Sequence, residues 1–177
     1  MTWKIEHRRA AISGGFTLVE VLIVVIVLAI LAAIALPQLN GNSDTARVAA
    51  LDGSLTRLRN AVELYYHQHG STYPGVRNHR DGSTVTSAAA AESSFVAQLT
   101  LFSDAAGRTR TMKDDTFRYG PYLIGGIPAN PFNRRRHVVC RTDDPGALGI
   151  TSDGSSGWMY FVTTGRLVAN DGAHDAS

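Results

Sequence analysis

The sequence predicts an α+β fold in which a long N-terminal helix packs on a small antiparallel sheet. Three observations predict it. An apolar run of helical length covers residues 16–36. Apolar residues then recur every three or four positions from Val48 to Tyr65, which is the spacing of one helix face. Short β-prone stretches follow in the last third of the chain, and this separation of helices from strands is typical of α+β proteins.

The formal net charge of +2 is carried by the first fifteen residues, where Lys4, Arg8 and Arg9 stand against Glu6. Of the 17 Lys/Arg and 15 Asp/Glu in the chain, the 14 of each sign beyond residue 15 cancel. Because the rest of the chain is formally neutral, its charge does not favour a nucleic-acid partner.

The apolar run predicts a transmembrane helix over residues 16–37. Between Phe16 and Leu36 only Thr17 and Glu20 are not apolar. Twenty-one helical residues span about 31 Å, the thickness of a bilayer's hydrocarbon core. The basic residues lie only on the N-terminal side, so the N-terminus is expected in the cytoplasm and the remainder in the periplasm, on a single-pass inner-membrane protein.

Two simpler interpretations of the apolar run are disfavoured. A secretory signal peptide has a shorter apolar core followed by small residues, and Ala35-Leu36-Pro37-Gln38 is a poor cleavage context. A plain membrane anchor leaves unexplained a carboxylate that costs about 2.5–3.5 kcal/mol to insert. An acid near the membrane surface that reaches towards water remains an alternative for Glu20.

The stretch from Gly14 to Glu20, GGFTLVE, resembles the cleavage box of type IV prepilins and type II secretion pseudopilins. In that family a membrane-embedded prepilin peptidase cuts after the glycine, here Gly15, and methylates the new N-terminal amine, here that of Phe16. The resemblance makes residues 1–15 a leader peptide. A residue without a side chain lets an extended backbone enter a protease site closely.

The same resemblance assigns assembly roles to Glu20 and Pro37. The family's glutamate pairs with the N-terminal amine of a neighbouring subunit, and an unpaired carboxylate in a low dielectric is penalised, so pairing selects subunits in register. The family proline bends the helix, because proline removes one backbone hydrogen bond. An ordinary helix end at the membrane surface is the alternative for Pro37.

Residues 38–70 are predicted to continue the helix as an amphipathic segment. Its apolar face carries Val48, Leu51, Leu55, Leu58, Val62 and Tyr65. Asp44 is the predicted helix start and His69-Gly70 the predicted end. The face is shorter than three heptads, so packing on a sheet is favoured over a coiled coil.

Residues 71–177 are predicted to form a globular periplasmic head. Tyr73-Pro74-Gly75 and Asp81-Gly82 are turn signals. Residues 86–103 predict a second helix with one apolar face, formed by Phe95, Leu99 and Phe102. The predicted strands are 122–124, 137–139, 158–163 and 166–168, with the last two joined at Thr164-Gly165 as a hairpin. Trp158, Tyr160 and Val162 alternate, which predicts one buried face.

A looser resemblance links the head to major pseudopilins of type II secretion. It rests on residues 120–133, with their proline-containing segment, and on 157–170, which end in a short hairpin. The chain also lacks the C-terminal cysteine pair of many type IV pilins, since Cys140 is its one cysteine. Cys140 is expected to be a partly buried free thiol, with an intermolecular bridge as the less favoured alternative.

The resemblance implies calcium in a head loop, and Asp143, Asp144 and Asp153 supply the oxygen ligands that calcium takes. Their spacing is not that of an EF-hand, and a solvated acidic loop is favoured. Residues 134–136, three arginines, suggest an exposed turn more than a phosphate or acidic contact. His67 and His69, two apart on a helix, are a poor metal pair.

No nucleophile triad, phosphate-binding glycine loop or CxxC pair occurs, so the chain is not expected to be an enzyme or to need a cofactor. The leading interpretation is a structural subunit of a type II secretion pseudopilus. Expected partners are prepilin peptidase, identical and minor subunits, an inner-membrane assembly platform, and membrane lipid before assembly. Two alternatives remain: a type IV pilin for adhesion, motility or DNA uptake, and a membrane-anchored periplasmic binding module that does not polymerise.

Overall fold

The computed structural model describes residues 15–144, 146 and 149–173, with the side chains of residues 34–43 left out. The chain divides into two compact units, residues 1–44 and residues 45–177. Helix α1, Leu18–Gln68, contributes to both. Each unit is described by itself below.

Helix α1 shows no break at the predicted helix start. Asp44 lies inside the helix, so its prediction as a start is wrong. A cap satisfies the backbone amides of a helix's first turn, which have no partner within the helix. The first turn of α1 begins at Leu18, so no cap is needed at Asp44. The backbone at Pro37 is helical, and its side chain lies outside the described residues.

A search of the described residues finds no stretch of helix that is both long and apolar enough to cross a bilayer. The span predicted over residues 16–37 is therefore not confirmed and stays a prediction.

The C-terminal unit is built around the predicted apolar face of α1. Leu51, Leu55 and Leu58 are at most 1% exposed, and they share one core with residues of a second helix and a sheet. Val48 is 42% exposed and lies outside that core. The face therefore begins one helical turn later than predicted. The helix ends at Gln68, next to the predicted His69-Gly70, and Gly70 has a φ of 61°.

Helix α2, Ala88–Thr100, is shorter than predicted at both ends. Ser87 caps its N-terminus by accepting a hydrogen bond from the Ala90 amide. Phe95 and Leu99 are buried as predicted. Phe102 is not on the helix face, because the chain becomes extended at Leu101 and enters a strand.

Two small sheets complete the unit. Strands β1, Phe102–Ser103, and β2, Thr109–Arg110, form an antiparallel pair that was not predicted. The main sheet has the order β3-β4-β5, with bounds Val138–Arg141, Trp158–Phe161 and Leu167–Ala169.

The main sheet is mixed rather than antiparallel. The predicted β4–β5 hairpin is confirmed, and its turn closes with the Gly165 amide on the Phe161 carbonyl at 2.8 Å. Strand β3 runs parallel to β4, with Val138 opposite Trp158 and Arg141 opposite Phe161, and a parallel pair needs a crossover connection instead of a tight turn. The prediction of an antiparallel sheet is thus right for the hairpin and wrong for β3.

Strand β4 is buried on both faces. Trp158 and Tyr160 face the core shared with α1 and α2, as the alternation predicted. Met159 and Phe161 pack with Val168 in a second apolar cluster, against Ile150. The loop before β4 therefore covers the face that was expected to be open.

The strand predicted at 122–124 is a turn instead. Leu123 is buried and Ile124 is 81% exposed. The amides of Tyr122 and Leu123 both donate to the Leu99 carbonyl, at 3.0 and 2.8 Å. These amides satisfy the C-terminus of α2, so they are not free to pair with a strand.

Candidate processing and assembly site

The predicted cleavage position lies in open chain just before α1. Gly15 and Phe16 are outside any helix or strand, and Phe16 is 80% exposed. A Cβ added at Gly15 would meet no atom within 4 Å, and Gly15 has no positive φ. Among the described residues, the fold gives no packing reason for glycine at this position.

Thr17 fixes where α1 begins. Its Oγ1 accepts a hydrogen bond from the Glu20 amide at 3.2 Å, and its carbonyl accepts from the amides of Glu20 and Val21. This is the N-cap arrangement that satisfies the free amides of a first helical turn. The cap was missed in the sequence, although Thr17-x-x-Glu20 has the spacing of a capping box.

Glu20 lies in the first turn of α1, three residues after its cap. A carboxylate there interacts favourably with the helix dipole. The position of Glu20 is therefore favourable even in the isolated chain. In a chain that begins at Phe16, the N-terminal amine would lie four residues before Glu20 in the sequence.

The first half of α1 exposes apolar side chains on all sides. They are 48–83% exposed, and the set comprises Leu18, Val19, Val21, Leu22, Ile23, Val24, Val25, Ile26, Val27, Leu28, Ile30 and Leu31. A helix that is apolar all round is stable where protein or lipid surrounds it. Most of the exposed large apolar side chains of the described residues lie on this surface.

The three aspartates of the predicted acidic loop bind different side chains within the protein. Asp143 pairs with Arg141 at 3.0 Å. Asp144 accepts from Thr164 Oγ1 at 2.6 Å and pairs with Arg166, which ties the loop to the β4–β5 turn.

The Asp153 carboxylate accepts hydrogen bonds from the hydroxyl and the backbone amide of Ser155 and from Asn170 Nδ2. These hydrogen bonds, those of Ser155 foremost, lower the pKa of Asp153 to about 2. Within the described ranges, no group of three or more His, Cys, Asp or Glu is placed to hold a metal ion. The calcium site implied by the resemblance stays a prediction.

The three arginines of residues 134–136 are exposed, and two of them donate hydrogen bonds to neighbouring loops. Arg135 Nη1 donates to the carbonyls of Gly154 and Ser155. Arg136 Nη1 donates to the Ile127 carbonyl at 2.7 Å. These contacts agree with the exposed-turn interpretation.

His67 is exposed, whereas His69 is buried and stacks on Tyr65 with ring centres 3.7 Å apart. Nδ1 of His69 is 2.9 Å from the Tyr65 carbonyl, and Nε2 is 3.1 Å from Ser103 Oγ. Burial lowers the pKa of His69, so the neutral ring is favoured. His69 is therefore a core residue.

Cys140 is a buried free thiol, as expected. Burial, with a smaller contribution from Glu92, raises its pKa to about 12. A thiol of this kind is unreactive, which disfavours the intermolecular bridge.

Residues 12–36 match the prokaryotic N-terminal methylation motif. The chain is also similar to proteins described as type II secretion system core protein G. The protein of Pseudomonas aeruginosa is 39% identical over 52 residues, which cover 29% of this chain and 37% of the relative. That of Vibrio cholerae is 40% identical over 60 residues, covering 34% and 40%. That of Escherichia coli K12 is 29% identical over 79 residues, covering 43% and 54%.

The matched parts span about two fifths to a half of these curated relatives' own lengths. No solved structure gives a significant match. The chain thus carries the N-terminal methylation motif of prepilins and is homologous to the pseudopilin named core protein G.

Proposed function

We propose that this chain is the structural subunit of a type II secretion pseudopilus, a filament that grows from the inner membrane into the periplasm. The observation that carries the proposal is the match of residues 12–36 to the N-terminal methylation motif. The glutamate of the family that these residues resemble falls at Glu20. The homology to core protein G favours the secretion filament over a pilus for adhesion, motility or DNA uptake.

Processing is the first step of the proposed function. Prepilin peptidase removes residues 1–15 and methylates the amine of Phe16. The exposed, unstructured backbone at Gly15 and Phe16 supports this step, because a protease needs an extended chain in its site. The absence of any packing reason for glycine at position 15 points to the same enzyme.

Assembly is the second step. Before it, lipid surrounds the apolar first half of α1, with the C-terminal unit in the periplasm. In the filament, the same surface packs against identical and minor subunits on an inner-membrane assembly platform. Glu20 pairs with the methylated amine of a neighbour, and this pairing sets the register. The bend at Pro37 adjusts the helix to its neighbours.

The subunit acts by packing, and we infer no reaction for it. The bonds of the acidic loop, the arginine turn and His69 are all internal to the C-terminal unit. A membrane-anchored binding module would leave Glu20 without a partner in the membrane, where an unpaired carboxylate is costly.

The processing step is tested by intact-mass and N-terminal peptide analysis of the full chain from cells with active prepilin peptidase. We expect a mature chain that begins at Phe16 and carries one methyl group on its amine. Gly15→Leu is expected to block cleavage, because a branched side chain obstructs the backbone at the cut. Ala10→Leu, which adds the same side chain to the leader five residues before Gly15, is the matched control and is expected to leave cleavage intact. A mature chain that starts after Ala35, or an uncut wild-type chain, contradicts the proposal.

A further inference from the structure

Ile124 is an apolar side chain that the C-terminal unit holds out into solvent. It is 81% exposed, the highest value among the large apolar residues of that unit that the structure describes. Gly125 and Gly126 follow it with φ of 88° and 83°, and a Cβ at either would meet nothing within 4 Å. Ile124 is therefore an exposed apolar side chain followed by two residues that carry none, and Ile124 with these two glycines is named the knob.

The knob is fixed by hydrogen bonds rather than left to move. The preceding amides of Tyr122 and Leu123 are held by the Leu99 carbonyl, and the Gly126 amide donates to the Leu123 carbonyl at 3.4 Å. The Arg57 guanidinium donates to the Ile124 carbonyl itself. A preorganised apolar group loses little conformational entropy on binding.

An open apolar groove lies between α2 and the edge strand β3 of the same unit. Its volume is about 550 Å³, and its lining includes Ala89, Glu92, Val96, Ala97, Leu101 and Val138. Val96 is 39% exposed within it. No residue of the knob lines the groove.

The knob and the groove offer one pair of opposite charges, and Arg136 and His137 also line the groove. Arg57 lies against the knob, and the Glu92 carboxylate lies in the groove with 25% of its side chain exposed. Glu92 makes two long contacts, both at 3.3 Å, with the Cys140 amide and His137 Nε2. A carboxylate accepts more hydrogen bonds than these two, so it has capacity for an incoming guanidinium. Arg136, also in the lining, is held by the Ile127 carbonyl.

We propose that the knob of one subunit docks into the α2–β3 groove of a second copy of this chain, with Arg57 approaching Glu92 of that copy. A single exposed isoleucine is common on protein surfaces. The inference of a second copy rests on the fixed turn that presents Ile124, on the apolar lining of the groove, and on the charge match between Arg57 and Glu92. Because the two surfaces differ, each docking leaves a free knob at one end and a free groove at the other, and addition continues as in a filament.

This contact rests on the proposed function, since it assumes that the subunits polymerise. Its test is disulfide cross-linking of the full chain in filament-forming cells. In the Ile124→Cys/Val96→Cys double variant, mild oxidation is expected to give a ladder of dimers, trimers and longer species. Either single variant is expected to give monomer only, because the native thiol of Cys140 is buried. Met112→Cys/Val96→Cys is the matched control and gives no ladder, although Met112 is 76% exposed.

A second variant tests the same contact without oxidation. Ile124→Asp is expected to lower filament yield about tenfold, the loss that corresponds to ~1.4 kcal/mol of contact free energy. Met112→Asp is expected to leave the yield unchanged. A ladder from the double variant supports the docking.

Three results would overturn it. Normal wild-type filaments without a ladder refute the knob contact and leave the pseudopilus proposal standing. Dimers without longer species refute an open, head-to-tail contact. A wild-type chain that is correctly processed but never forms filaments refutes the proposed function, and the knob contact falls with it.

Discussion

Along α1, the large apolar side chains of residues 18–31 are 48–83% exposed, whereas those of Leu51, Leu55 and Leu58 are at most 1% exposed. The two segments use similar residues. In the second segment, apolar residues occupy one face, and α2 and the sheet cover it. In the first, they occupy every face, and the described chain offers nothing to cover them. The comparison teaches that the second segment stabilises the subunit, whereas no described residue covers the apolar faces of the first.

The largest difference in unfolding free energy is expected when a leucine is truncated to alanine in each of the two segments. Leu58→Ala should lower the free energy of unfolding of the C-terminal unit by about 2–5 kcal/mol, because it leaves a cavity in a closed core. Leu22→Ala, at a side chain 53% exposed, should change it by less than about 0.5 kcal/mol. Urea unfolding of the detergent-solubilised full chain, followed by the near-UV signal of buried Trp158, measures both. Equal losses would contradict the comparison.

A smaller difference in unfolding free energy is expected between the alanine variants of two glycines. Gly165 has a φ of 71°, and a Cβ there would lie 2.2 Å from the Tyr73 ring. Gly165→Ala should therefore destabilise the C-terminal unit by about 1–3 kcal/mol, through overpacking and backbone strain. Gly53 lies within α1 with open space around it, so Gly53→Ala should stabilise by about 0.5–1 kcal/mol.

The same urea titration separates the two glycine variants. A Gly165→Ala protein as stable as wild type would show that the Tyr73 ring moves away freely, and that the hairpin does not depend on this contact.

The smallest effect is a pH dependence confined to the C-terminal unit. Burial lowers the pKa of His69 below its ordinary value, while the Tyr65 and Asp104 backbone bonds and the Asp104 charge oppose this shift. The unfolded chain then binds the proton more readily than the folded one. The stability from neutral His69 is thus fully present above the unfolded pKa of about 6.5 and falls as pH drops below it.

His69→Gln should flatten the slope of unfolding free energy between about pH 7.5 and pH 5, the range around the unfolded histidine pKa. His67→Gln, at an exposed position on the same helix, should keep the wild-type slope. An unchanged slope in His69→Gln would show that another group carries the pH dependence.

Local periodicity was enough to predict the features of the fold that depend on neighbouring residues. The buried face from Leu51 to Tyr65, the core of α2 and the β4–β5 hairpin were all predicted from spacing and turn residues. The parallel pairing of β3 was missed, because the direction of a strand depends on the path of the loop that follows it. Residues 122–124 were misassigned because an apolar, β-prone triplet serves here to end a helix.

In the candidate site, too, local features could be predicted from the sequence and long-range contacts could not. Gly15, Phe16, Glu20 and Pro37 were selected through a resemblance, and their roles stay predictions. The cap of Thr17 on Glu20 could have been found from the T-x-x-E spacing. The contact between Asp144 and Arg166 could not, because it joins residues 22 apart across a loop and a hairpin.

The most direct test of the central claim is the filament yield of Glu20→Ala, measured by shearing and electron microscopy against the membrane level of the protein. If the first half of α1 is an assembly surface, this variant should still enter the membrane and be cleaved, since a costly carboxylate has gone. Filament yield should nevertheless fall sharply, because breaking a buried pair costs about 3–5 kcal/mol. Glu63→Ala, the same change at an exposed site on the second half of α1, should assemble normally. Normal filaments from Glu20→Ala at wild-type abundance would contradict the account.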